Sequence, residues 1–334
     1  MNDPFAPGRS CPLHYRYDPA VFAVPATAHC EVLYVVGGLY GNAPALARVL
    51  ELFARERGEK RLVFNGDFHW FDVSDGSFAA INAAVLGFDA TRGNVETELA
   101  NGPADIDIDS DSDGQSTDAG CGCAYPAWVS DDVVRRSNQI MARLRATAAR
   151  APAAVRSLQA LPMWRRIDVG GRRIAVVHGD AESLAGWGFA AESLQDAAQR
   201  ERARAWFAAA EVDVFACTHT CLPVFQTLPA RGAAFAPIVL NNGAAGMPNL
   251  AGAREGLLTR IATKPFAGGE RRFGVERGGL FMDGIAVAYD EPQWQAQFLA
   301  QWPSGSAAHA SYWPRISRSV GYALGDVVRG GLGE

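Results

Sequence analysis

No apolar run in these 334 residues approaches the length needed to cross a membrane. The opening stretch, Met1 to Gly8, lacks the basic and apolar segments of a secretory signal, so a cytoplasmic location is expected. Excess positive charge is missing too: the formal net charge is -5, which disfavours nucleic acid as a partner. Neither Gly37-Gly38 nor Gly278-Gly279 has the spacing of a phosphate cradle, and no internal repeat is present. Histidine is sparse, with 6 in the chain, and His14, His29 and His309 lie outside any motif. The 6 cysteines, in a cytoplasmic setting, are expected to be thiols or ligands rather than disulfides. Cys121-x-Cys123 and Cys217-x-x-x-Cys221 form close pairs, whereas Cys11 and Cys30 stand apart.

What the chain does have is apolar mass. Hydrophobic residues make up 49% of it, enough for one large core with appendages. Residues 1–28, rich in Pro and Ala, read as an extension. Residues 29–290 read as the main domain, with an acidic loop and helical insertion at about 100–165. Residues 291–334 read as a C-terminal helix and tail packed on that domain.

Within the main domain, Glu31 to Val36 suits a buried strand that delivers a loop to a sheet edge. Ala43 to Arg57 has helical periodicity, with Leu46, Val49, Leu50 and Phe53 on one face. Arg61 to Asn65 is a second strand, a helix follows around 78–86, and Ala90-Thr91-Arg92 is a third strand. Such alternation implies a largely parallel sheet with functional residues at strand C-termini. Residues 102–120 read as a solvated loop, and 131–160 as helical. Arg173 to Val177 and Val212 to Cys217 restore buried strands, separated by a polar helix at roughly 193–209. Beyond Pro223 the pattern becomes strands in quick succession, consistent with hairpins. Their expected bounds are 223–228, 236–240, 257–262, 279–282 and 285–289, followed by a helix from Gln293 to Gln301.

Four of these strands end in residues with ligand chemistry: Gly66-Asp67, Gly93-Asn94, His178-Gly179 and Thr218-His219. Each alone is an ordinary turn or cap. Oxygen and imidazole donors delivered from four strand ends are what a metal centre for phosphate ester chemistry requires.

In this order the four ends resemble the metal-binding loops of the calcineurin-like metallophosphoesterase family, over about residues 31–249. Val239 to Pro248 is similar to that family's Asn-Pro-Gly-Ser-x-Gly-x-Pro turn. The resemblance implies an α/β sandwich of two mixed sheets flanked by helices, with the site at the loop edge. It implies hydrolysis of phosphomonoesters or phosphodiesters of small phosphorylated substrates by a metal-activated water. Residue by residue, Asp67 matches the bridging aspartate, and Asn94, His178 and His219 match the other ligands of the second metal. The first metal's ligands depart from the pattern: Gly38 and Tyr40 replace an aspartate and a histidine, and Cys221 replaces the last histidine. Val95 replaces the histidine used near the leaving group.

The expected site thus holds one or two divalent ions, manganese, iron or zinc, through Asp67, Asn94, His178, His219 and Cys221, a thiolate being itself a good ligand. Asn94, His69 and Tyr40 are the candidate catalytic residues. His69 either projects into the altered side as ligand or acid, or packs against Trp70. Cys121 and Cys123 either join Cys221 as soft ligands, form a redox pair, or are small buried residues of a tight loop. Asp180 either holds a metal-bound histidine or caps a helix. Asp109 to Gly114 has the opening spacing of a calcium loop, but Gly120 stands where a bidentate Glu is needed, so it reads as an acidic loop. Two other functions compete: an inactive binding or scaffold protein on the same fold, and a cysteine-based zinc or redox module using Cys121, Cys123, Cys217 and Cys221.

Overall fold

Short strands with apolar residues on both faces need cover on both sides, and that requirement sets the layers of this protein. The computed structural model describes residues 6–101, 119–232 and 234–330. In chain order the first strands are β1 (Ala28–Cys30), β2 (Val32–Val36), β3 (Lys60–Asn65) and β4 (Asp89–Thr91). After them come β5 (Trp164–Val169), β6 (Arg172–Val177), β7 (Val214–Cys217), β8 (Pro223–Thr227) and β9 (Ile238–Asn242). The last are β10 (Gly256–Ala262), β11 (Arg271–Arg277), β12 (Leu280–Val287) and β13 (Val328–Arg329). The helices are α1 (Ala43–Arg55), α2 (Asp75–Val85), α3 (Asn94–Ala100) and α4 (Asp131–Ala148). They continue with α5 (Pro152–Gln159), α6 (Ala197–Ala210), α7 (Glu291–Gln301) and α8 (Ala307–Arg318).

The strands form two mixed sheets, one in the order β1-β5-β6-β7-β9-β8-β13 and one in the order β11-β12-β10-β2-β3-β4. Period-two alternation shows how they stack. Leu33, Val35 and Val63 of the second sheet share one buried cluster with Ile174, Val176, Val214, Ala216, Ile238 and Leu240 of the first. The intervening residues point the other way. Tyr34, Val36 and Phe64 join a core with α1, α2, α4 and α7, while Ala175, Val177, Phe215 and Val239 join one with α6. The fold is therefore an α/β sandwich of two mixed sheets flanked by helices.

The helical stretches expected at about 131–160 are present as α4 and α5, the second opened by Pro152. Several expectations are corrected. The strands expected at 279–282 and 285–289 are one strand, β12. Asp283, which interrupts its apolar pattern, is buried and paired with Arg271 (2.6 Å) and Arg260 (3.5 Å). Strands β5 and β11 and helix α8 were not expected. Of the 1–28 segment, Tyr15 and Phe22 are fully buried. The calcium-like stretch Asp109 to Gly114 lies outside the described residues. No helix among the described residues is long and apolar enough to cross a membrane.

Candidate metal centre

Strand direction brings the loops together. β2, β3 and β4 are mutually parallel, as are β6 and β7, so their C-terminal loops leave at one edge. The loop after β3 turns at Gly66 (φ 74°), where a Cβ would lie 2.6 Å from the Gly93 backbone and from His178 Nδ1. Only glycine permits that approach. Asp67 follows in a left-handed conformation (φ 55°), as do Tyr40 (57°) and Cys221 (62°) in neighbouring loops. Backbone strain of this kind, on the order of 1–3 kcal/mol each, persists only where the surroundings impose it.

Four donor atoms converge there. His178 Nε2 lies 3.2 Å from Asn94 Oδ1, 3.2 Å from His219 Nδ1 and 3.3 Å from Asp67 Oδ2. Their hydrogens are committed elsewhere. His178 Nδ1 donates to the Asn65 carbonyl (2.9 Å) and His219 Nε2 to the Cys123 carbonyl (3.1 Å). Asn94 Nδ2 donates to the Cys121 carbonyl (2.9 Å). Carbonyls only accept, so each ring or amide turns a lone pair inward. Lone pairs on four buried atoms facing one another repel unless a proton or cation sits among them. Asp67, His178 and His219 can hold a metal ion, with ligand atoms all within 4.8 Å of one another. Carboxylate, amide and imidazole donors fit manganese, iron or zinc.

Asp67 and His178 shift one another in opposite directions. Burial by itself would raise the Asp67 carboxyl, yet His178 beside it, helped by His219 and the Val95 amide, holds it below the usual range. Burial likewise opposes charge on His178, but Asp67 outweighs it and raises that imidazole. Burial and the neighbouring His178 push His219 down to about 4, so it stays neutral.

The other half of the expected site is filled differently. Gly38 sits at φ 65°, and a Cβ there would lie 2.9 Å from the Tyr40 ring and hydroxyl. The Tyr40 phenol occupies the space that a side chain at position 38 would need. Its hydroxyl contacts Cys221 Sγ at 2.8 Å, and Cys221 Sγ donates to the His219 carbonyl at 3.3 Å. Cys221 is thus engaged with Tyr40 and lies outside the convergent donor set. Burial raises the pKa of both groups, so both are neutral.

His69 is not brought to this cleft. It is fully buried, stacks on Phe78 with ring centroids 4.0 Å apart, and contacts Asp72 (3.2 Å) and Asn82 (3.5 Å). The Cys-x-Cys loop acts mainly through its carbonyls, which anchor Asn94 and His219. Cys217 points to the opposite face, into the α6 core, so the four cysteines of the expected soft-metal module do not assemble. Asp180 accepts from the backbone amides of Glu182, Ser183 and Gly188 (all 2.9 Å) and organises the loop after His178 rather than touching its ring.

Some contributors escaped the sequence reading. Glu96 accepts from the amides of Asp67 (2.8 Å), Phe68 (3.0 Å) and Gly93 (2.9 Å), locking two ligand loops to each other. Its spacing from Gly93 is that of a capping glutamate, a signal that was legible. Trp70, Tyr125, Trp187 and Tyr312 rim the cleft over the donors, whose cavity volume is about 50 Å³.

No family model and no curated protein matches the chain. Among solved structures it is similar to a metallophosphoesterase from Sphaerobacter thermophilus, at 16% identity and a TM-score of 0.51, over 86% of this chain and 100% of that one. It is also similar to a hypothetical protein from Pyrococcus horikoshii OT3, at 14% identity and a TM-score of 0.54, over 87% of this chain and 99% of that one. The chain has a calcineurin-like metallophosphoesterase fold.

Proposed function

We propose that the protein is a metal-dependent phosphoesterase working with a single divalent ion, manganese, iron or zinc, held by Asp67, Asn94, His178 and His219. The observation that carries this is the convergence of four buried lone-pair donors, three of which tie their own hydrogens outward while the fourth is a carboxylate. When bound, such an ion supplies positive charge to a phosphoryl oxygen and acidifies an attacking water.

The chain's own groups supply the rest. Asn94 is fixed by the Cys121 carbonyl, so its amide oxygen stays directed at the site without a search for rotamers. The Tyr40 hydroxyl, kept protonated by burial, rests against the Cys221 sulfur and becomes a neutral donor to charge developing on the leaving oxygen once it turns from that sulfur. Cys221 orients that phenol. Val95 lines the cleft where a proton-transferring histidine would serve, so Tyr40 is the hydrogen-bond donor of this reading. The substrate is a small phosphorylated ester.

The same Val95 and the blocked half-site favour a second reading, a binding protein that keeps the metal without turnover. Hydrolysis of p-nitrophenyl phosphate and bis(p-nitrophenyl) phosphate with added manganese separates the two. Turnover that disappears in Asn94→Ala and His219→Ala is expected. Stoichiometric metal with no turnover of either ester would establish the binding role instead.

A further inference from the structure

Among the described residues, no lysine or arginine side chain lines the cleft above the four donors. Arg315, which approaches it from α8, is committed to the carbonyls of Pro248 (2.7 Å) and Cys221 (2.8 Å) and to Asn249 Oδ1 (3.1 Å). Asp67 would already offset one charge of a divalent ion, so a phosphate dianion entering here would find no side-chain cation for its second charge, and an uncompensated buried charge is costly.

The walls are aromatic instead. Trp70 meets Tyr312 edge-on at 6.4 Å between centroids, and Tyr125 meets Trp187 at 5.8 Å. Trp187 stands 5.6 Å from the His219 ring at 80° and donates its indole N–H to the Cys123 carbonyl at 2.9 Å. That same carbonyl orients His219, so the indole is fixed to the frame of the metal centre. Trp128, 62% exposed, extends the row outward at 6.2 Å from Trp187. A cavity of about 50 Å³ admits an ion with a few waters, or a phosphoryl group in their place. The organic part of any ester must therefore rest against this rim.

We propose that the cleft selects monoanionic phosphodiesters carrying a planar aromatic group, seated against Trp187 and Tyr125. This rests on the phosphoesterase reading above. Flat rings stack on indole and phenol faces regardless of their substituents, so an aryl group and a nucleobase satisfy the same chemistry. A diester carries only one negative charge, matching a site whose sole positive group would be the ion.

The test is binding to the full, manganese-loaded chain, followed by calorimetry, with diphenyl phosphate, cyclic AMP, dimethyl phosphate and phenyl phosphate as probes. Diphenyl phosphate or cyclic AMP is expected to bind at least about tenfold tighter than dimethyl phosphate. The tighter of the two tells aryl from nucleobase recognition. Trp187→Phe should keep the preference, whereas Trp187→Ala and Tyr125→Ala should erase it. Should Trp187→Ala fail to fold, the Tyr125→Ala ratio decides. Equal affinity for diphenyl and dimethyl phosphate, or tighter binding of the phenyl phosphate dianion, overturns this inference and leaves the phosphoesterase reading standing. Failure of manganese to bind overturns that reading and the inference with it.

Discussion

Gly38 and Tyr40 are a matched pair, because the phenol fills the space a side chain at position 38 would enter. Gly38→Asp alone is predicted to destabilise by roughly 1–3 kcal/mol, from overpacking against Tyr40, read as a lower urea midpoint at unchanged slope. Adding Tyr40→His and Cys221→His should relieve the clash and raise the metal content above that of the parent. Tyr40→Phe should slow ester hydrolysis by about 10²-fold or more in kcat if its hydroxyl contacts developing charge, with little change in metal content. An unchanged kcat would remove Tyr40 from the chemistry. At this scale the sequence was informative wherever a converging group is a side chain at a strand end, as with Asp67, Asn94, His178 and His219. It was silent where the anchoring group is a backbone atom, since the carbonyls of Cys121 and Cys123 carry no mark of residue type. His69 misled because its proximity to Asp67 in sequence says nothing of which way a left-handed turn sends the next side chains.

Among the elements, the strand–loop junctions carry the site, and Glu96 holds two of them together. Glu96→Ala leaves three buried amides without acceptors, at about 1–3 kcal/mol each. Chemical denaturation should therefore show a loss of several kcal/mol, together with weaker manganese binding because Asp67 and Asn94 lose their common anchor. A variant as stable as the parent would mean that water replaces the carboxylate. The alternating α/β half was legible because its strands are uninterrupted apolar runs. β5 was not, since Arg165 and Arg166 break its pattern. Arg166 is nonetheless buried, bound to Asp168 at 2.5 Å and to the Ile167 carbonyl at 3.1 Å, an arrangement that only the folded chain supplies. α8 was hidden by Pro314 within it.

For the molecule as a whole, a bound metal would link protonation to stability. In the metal-free protein His178 is raised above its usual 6.5 by Asp67, although burial opposes this. Its contribution to stability is full below 6.5 and is lost as pH rises through the folded value. His219 works in the opposite sense. Burial depresses it to about 4, so its contribution is present above 6.5 and lost as pH falls toward about 4. These two groups alone would place the metal-free stability maximum near 6.5. Manganese bound through His178 would compete with protonation of that ring, so the rise in Tm that it causes should grow with increasing pH. Thermal scans with and without manganese check this, and a pH-independent increment would show that His178 is not a ligand.

The central claim is a single metal position built from Asp67, Asn94, His178 and His219, with Tyr40 and Cys221 closing the other. Metal analysis of the chain after equilibration with excess manganese and gel filtration tests it directly. One ion per chain is predicted for the parent and for Cys221→Ser, and none for His219→Ala. Two ions per chain in the parent, or full uptake by His219→Ala, would contradict it.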